Sequence, residues 1–92
     1  VNAFSEKKVA EWSEFRRELF DRGLYATFES VCLKYGTTVA EVFQERTGGA
    51  HVCRARQECM RYQITNGWSR FSVSRFWKRD HSYIYKLFPK SK

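Results

Sequence analysis

Near the end of the chain, five consecutive residues, Arg79, Asp80, His81, Ser82 and Tyr83, carry hydrogen-bond donors, acceptors and a ring, with Lys78 and Lys86 on either side. Side chains of these types meet the edges of nucleic-acid bases: an Asp accepts from the amino group of cytosine, and Ser or His reaches donors, acceptors or the thymine methyl in a major groove. The surrounding cations, Arg70, Arg75, Lys78, Arg79 and Lys86, suit phosphate oxygens, which set register and affinity without reading sequence. This is recognition chemistry. His81 and Asp80 are sequence neighbours with no nucleophile near them, and Gly48-Gly49 lacks the following Lys-Ser or Lys-Thr of a nucleotide phosphate loop, so no enzyme is expected.

Two short helical patterns must position these residues. The first places Val73, Phe76 and Trp77 on one face, with Ser69 as its N-cap; the second places Ile84, Leu87 and Phe88 on one face, with Asp80 as its N-cap. Between them lies a basic turn. Residues 70–88 therefore read as a helix-turn-helix whose second helix starts with the polar run, and Arg56 and Gln57, at the start of an earlier helix, add a second phosphate-facing edge.

Charge supports a polyanionic partner. The 92 residues carry 17 Lys and Arg against 10 Asp and Glu, a net of +7. Residues 1–45 hold six basic and eight acidic side chains, whereas residues 46–92 hold eleven and two. A one-sided field of that kind attracts phosphate backbones or anionic lipid. Hydrophobic residues make up 42% of the chain, including eight Phe, five Tyr and three Trp, which favours one compact domain over a disordered tail. Cys32, Cys53 and Cys59 are odd in number and fall in apolar stripes; they read as buried thiols in a reducing compartment, with no disulfide set. Together with His51 and His81 they lack the spacing of a zinc site, so neither metal nor cofactor is expected. No apolar run approaches a membrane span and no signal peptide is visible, which makes the expected location cytoplasmic.

The rest of the chain reads as helices. Val1 to Asp21 forms a first helix capped by Ser5, with Val9, Trp12, Phe15, Leu19 and Phe20 inward. Leu24 to Tyr35 forms a second, with Leu24, Phe28, Val31, Cys32 and Tyr35 inward and Gly36 as its stop. Thr37 or Thr38 caps a short third helix, where Thr38 and Glu41 have capping-box spacing and Val39, Val42 and Phe43 are apolar. Arg46 to Ala50 is a glycine-containing loop. A fourth helix runs from His51 or Val52 to Asn66, with Val52, Ala55, Cys59 and Tyr62 as its core stripe, Met60 and Ile64 at the edges, and Arg54, Gln57 and Arg61 on another face. Pro89 closes the last helix ahead of the basic tail Lys90-Ser91-Lys92. The expectation is an all-α fold of five to six helices in a single domain over 1–92, with an N-terminal helix over 1–22 and a core over 24–88.

Four ordered blocks resemble a known family. Arg79-Asp80-His81-Ser82-Tyr83-Ile84 resembles the Arg-Asp-His, Ser or Thr, Thr, Val signature of the C-terminal DNA-binding domain of the bacterial replication initiator DnaA, a domain related to the Trp repressor fold. Val73-Ser74-Arg75-Phe76-Trp77 resembles that family's Ile-Gly-Arg-Leu-Phe segment. Arg54-Ala55-Arg56-Gln57 resembles the Ala-Arg-Gln start of its long helix, and Thr38 to Phe43 its short helix. The resemblance covers some sixty residues, from about Phe28 to Leu87. It implies sequence-specific binding of double-stranded DNA, with Asp80, His81, Ser82 and Tyr83 at bases in the major groove, Arg56 and Gln57 at the DNA backbone, and Arg46 as the loop arginine for the minor groove. Tyr83 stands where the family has a small Thr, Ser74 where it has Gly, Thr47-Gly48-Gly49-Ala50 where its loop is arginine-rich, and the turn is one residue shorter than in some members. With no ATPase domain in the chain, the expectation is either an excised fragment or, favoured by the chain's own N-terminal helix, a small stand-alone phage, plasmid or accessory protein acting in replication control or transcription regulation.

Two other readings compete. A protein-interaction module on the same fold, with weak or no base reading, would use the aromatic first helix, Trp12, Phe15 and Phe20, for a partner or a second copy of the chain. Single-stranded nucleic acid would instead stack on Tyr83, Tyr85 and Trp68.

Overall fold

A computed structural model describes residues 3–44 and 49–89, with side chains described from residue 9 onward. Among these residues there are six α-helices and no strand: α1 (Ala3–Asp21), α2 (Tyr25–Lys34), α3 (Val39–Gln44), α4 (Ala50–Thr65), α5 (Arg70–Trp77) and α6 (His81–Leu87). The all-α expectation holds. The chain divides into two compact units, Val1–Arg56 and Gln57–Lys92, with the division falling inside α4.

In the first unit α1, α2 and α3 pack on one another. The α1 helix begins before Ser5, which lies within it and is not its cap. Phe15 and Leu19 are buried, and Phe15 stacks on Phe43 of α3 at 4.2 Å, with the half-buried Trp12 at 6.0 Å from the same ring. Val9 and Phe20 do not join them: they are 61% and 53% exposed. At about 100° per residue both lie roughly a quarter turn or more from the Trp12, Phe15, Leu19 stripe. Phe20 instead stacks on Tyr25 at 4.3 Å beneath the Arg16 guanidinium.

Gly23, at φ 69°, turns the chain out of α1, and the Leu24 N–H donates back to the Leu19 carbonyl at 2.8 Å. A left-handed residue after a helix is what glycine adopts without a Cβ clash. Phe28, Cys32, Val39 and Val42 complete the core of this unit, while Val31 and Tyr35, expected inward, are only half-buried. The α3 cap is the reciprocal pair read from the spacing: the Glu41 N–H donates to Thr38 Oγ1 at 3.1 Å and the Thr38 N–H to Glu41 Oε1 at 3.3 Å. Thr37, itself buried, donates its hydroxyl to the same carboxylate oxygen at 2.6 Å.

In the second unit the latter part of α4 meets α5, and α5 packs on α6. Cys59, Met60, Gln63, Val73, Ser74, Trp77 and Ile84 are all buried. Trp77 donates its indole N–H to Gln63 Oε1 at 2.7 Å, a hydrogen bond wholly inside this core. Tyr62, expected on the α4 stripe, is 38% exposed, and Gln63 occupies the place assigned to it. The α4 helix ends where expected: the Trp68 N–H returns to the Gln63 carbonyl, and the Asn66 side-chain amide donates to the Tyr62 carbonyl at 2.7 Å.

Candidate nucleic-acid interface

The segment from Ser69 to Phe88 is built by local hydrogen bonding. Ser69 caps α5, its Oγ accepting from the Ser72 N–H at 3.0 Å. The helix ends on Lys78 at φ 56°, the one non-glycine residue with positive φ among those described. There the Lys78 and Arg79 N–H groups return to the Arg75 and Ser74 carbonyls, at 3.2 and 2.9 Å. The next residue but one, Asp80, is extended and caps α6, its Oδ1 accepting from the Ser82 N–H at 3.1 Å. The Ser82 backbone amide first, and then the Ser82 hydroxyl, hold the Asp80 carboxyl below the usual carboxylate range.

Packing between α5 and α6 decides which side chains face solvent. Ile84 of α6 and Val73 and Trp77 of α5 are fully or almost fully buried. Burying an isoleucine contributes about 1.5–3 kcal/mol, enough to fix the rotation of a helix of only two turns. Asp80, His81 and Ser82, in the turn ahead of Ile84, are exposed, as are Tyr85 and Lys86, and Leu87 and Phe88 are half-buried. Tyr83 is half-buried, with the Arg79 guanidinium 5.8 Å above its ring. Ser74 turns its buried hydroxyl to the Phe71 carbonyl at 2.8 Å, so that the side chain is satisfied at a tight position.

The expected phosphate-facing residues fall into three groups. Arg75, Lys78 and Lys86 are exposed around the α5–α6 turn and along α6, and Arg79 is half-buried beside them. Arg70 is tied to the end of the chain: its Nε donates to the Phe88 carbonyl and its Nη2 to the Pro89 carbonyl at 3.1 Å. On α4, Arg54 is exposed and Gln57 half-buried. Arg56 requires a correction. Its side chain is 1% exposed, with Nε donating to the Val42 carbonyl at 2.9 Å and Nη1 pointing at Cys53 Sγ at 3.9 Å. A guanidinium so enclosed braces α3 against α4 within the first unit and does not reach a phosphate. Arg46, Lys90 and Lys92 lie outside the described residues.

Sequence reasoning missed Gln63 and its partnership with Trp77. A signal was present: residues 52, 56, 59 and 63 recur at the four-three-four spacing of one helix face, and two of the four are polar. Gln63 Nε2 is buried without a partner among the described residues. Cys32, Cys53 and Cys59 are joined in no disulfide, and no group of three or more His, Cys, Asp or Glu residues among those described is placed to hold a metal ion. No described helix is long and apolar enough to cross a membrane.

By sequence, Gln57–Lys92 holds eight basic and two acidic side chains, a net of +6, against nine and eight in Val1–Arg56. The α5–α6 hairpin thus exposes a short polar run inside a strongly positive unit. Comparison with family models, curated proteins and solved structures finds no match to this chain.

Proposed function

We propose that this protein binds double-stranded DNA with sequence preference, laying α6 in the major groove as the second helix of a helix-turn-helix. The observation that carries the reading is the exposure of the polar run at the start of α6. Asp80, His81 and Ser82 are exposed together one turn ahead of the buried Ile84, and Arg75, Lys78 and Lys86 are exposed around them. The polar run offers donors and acceptors to base edges, and the cations neutralise phosphates on either side. The resemblance of the Arg79 to Ile84 run to the DnaA C-terminal domain supports the same docking and a Trp repressor-like arrangement. It also suits a regulatory or replication-control role.

Tyr83 leans under Arg79, so that part of its ring is occupied by the protein itself. Its target therefore differs from a site read by a small Thr at this position. Phosphate contacts on this reading come from Arg75, Lys78, Arg79 and Lys86, with Gln57 as a further candidate on α4. The protein-interaction reading draws on one specific feature, the exposed Phe20 on α1, since Phe15 is buried and Trp12 half-buried.

Selection of bound sequences from a random duplex pool at near-physiological salt tests the proposal. We expect enrichment of a defined core a few base pairs long, with its repeat spacing giving the number of protomers bound. A pool that emerges unenriched, or a protein that prefers single strands to duplex, rules it out.

A further inference from the structure

Two large aromatic side chains of the hairpin are exposed to water. Phe71 of α5 is 51% exposed and Tyr85 of α6 is 46% exposed. Both are in contact with one residue. The His81 imidazole lies 6.3 Å from the Phe71 ring at a tilt of 56°, and 5.9 Å from the Tyr85 ring, edge to face at 84°. Each aromatic is covered in turn by a cation: the Arg75 guanidinium lies 5.6 Å from the Phe71 ring, and that of Arg70 lies 5.9 Å from Tyr85. Arg70 is itself held by the Phe88 and Pro89 carbonyls. Arg75, Phe71, His81, Tyr85 and Arg70 thus form a continuous row of ring and cation contacts across both helices, with the imidazole at its centre.

We propose that Phe71 and Tyr85 are positioning residues that bracket the His81 ring in one rotamer and thereby set the sequence preference of α6. An exposed histidine on a helix surface samples several rotamers, and each sampled state dilutes any hydrogen bond its ring nitrogens can make to a base. Ring pairs at these centroid separations and edge-to-face angles attract beyond the area they bury. One ring comes from each helix of the hairpin. The bracket therefore ties the direction of the imidazole to the packing of α5 on α6, which a ring from α6 alone cannot do. The specificity part of this inference rests on the DNA-binding reading; the bracket itself does not.

The test has a free-protein arm and a DNA arm, using the full chain with Phe71→Leu, Tyr85→Leu and the conservative Tyr85→Phe. In the free protein, NMR couplings and ring-current shifts of His81 should report one rotamer in the wild type and in Tyr85→Phe, and averaging in both Leu variants. On duplexes carrying the selected site and its single-base variants, the Leu variants should lose about two- to tenfold in discrimination at the His81 base pair, the range one lost ring pair supports. Their affinity for random duplex should stay within about twofold, because both side chains are half exposed and lie outside the core. A His81 rotamer that stays fixed in both Leu variants overturns the bracket. Equal losses on selected and random duplex overturn the specificity role and point to simple destabilisation. A wild type with a fixed imidazole but no preferred duplex removes the DNA reading and the specificity role with it, an outcome distinct from loss of the bracket.

Discussion

Lys78 combines two roles whose energetic signs are opposite. Its backbone is left-handed at φ 56°, which costs a residue with a Cβ about 1–2 kcal/mol, and its ammonium stands among the cations assigned to phosphate. Lys78→Gly should therefore raise stability in urea unfolding by about 0.5–1 kcal/mol, after the extra chain entropy of glycine is subtracted. The same change should weaken DNA binding for all sequences and reduce the slope of log K against log salt by about 1. A loss of stability would contradict the turn geometry. Asp80 gives a pH signature. Its carboxyl is held low chiefly by the Ser82 amide, so its contribution to stability is present above the unfolded value of about 3.9 and is lost as pH falls through the lower folded value. The Ser82 amide resonance should titrate with a midpoint below about 3.9, and should not titrate there in Asp80→Asn, which still caps. A wild-type midpoint at or above that of an unfolded Asp contradicts the cap. Both N-caps of the hairpin were legible in the sequence because a cap is settled within three residues. The burial of Arg56 was not, since its partner is the Val42 carbonyl, fourteen residues away in the chain.

At the scale of elements, helix type and extent were legible nearly everywhere, while the face each helix buries was legible only where residue type and angle agreed. On α4 they disagreed. Counting from Val52 at about 100° per residue, position 63 falls back on the stripe and position 62 falls roughly 80° off it, yet a Tyr at 62 looks more like core than a Gln at 63. Angle prevailed, because Gln63 can accept from the Trp77 indole and so enter the core with its carbonyl satisfied. The same rule displaced Val9 and Phe20 on α1. Trp77→Phe tests the consequence: with the donor removed, Gln63 keeps two unpaired polar ends in a sealed core, and unfolding should become easier by about 1–3 kcal/mol, before any cavity left by the smaller ring is counted. Adding Gln63→Leu should recover part of that loss, because replacing both partners of a buried hydrogen bond costs less than removing one. An unchanged urea midpoint for Trp77→Phe would show that the bond contributes nothing.

Across the whole molecule, charge and recognition separate along the chain. Val1–Arg56 is close to neutral, whereas Gln57–Lys92 carries a net of +6 and contains the entire α5–α6 hairpin. That asymmetry supplies affinity for any polyanion, so affinity alone does not distinguish reading from sticking. Distinguishing them requires comparing a residue assigned to bases with one assigned to phosphates on the same DNA. The direct measurement is titration of wild type, His81→Ala and Lys86→Ala against the selected duplex and a scrambled one at fixed, near-physiological salt. We expect His81→Ala to narrow the ratio of the two affinities by the equivalent of about 1–3 kcal/mol, and Lys86→Ala to weaken both duplexes alike with the ratio preserved. Equal losses on both duplexes for His81→Ala would contradict base reading by α6.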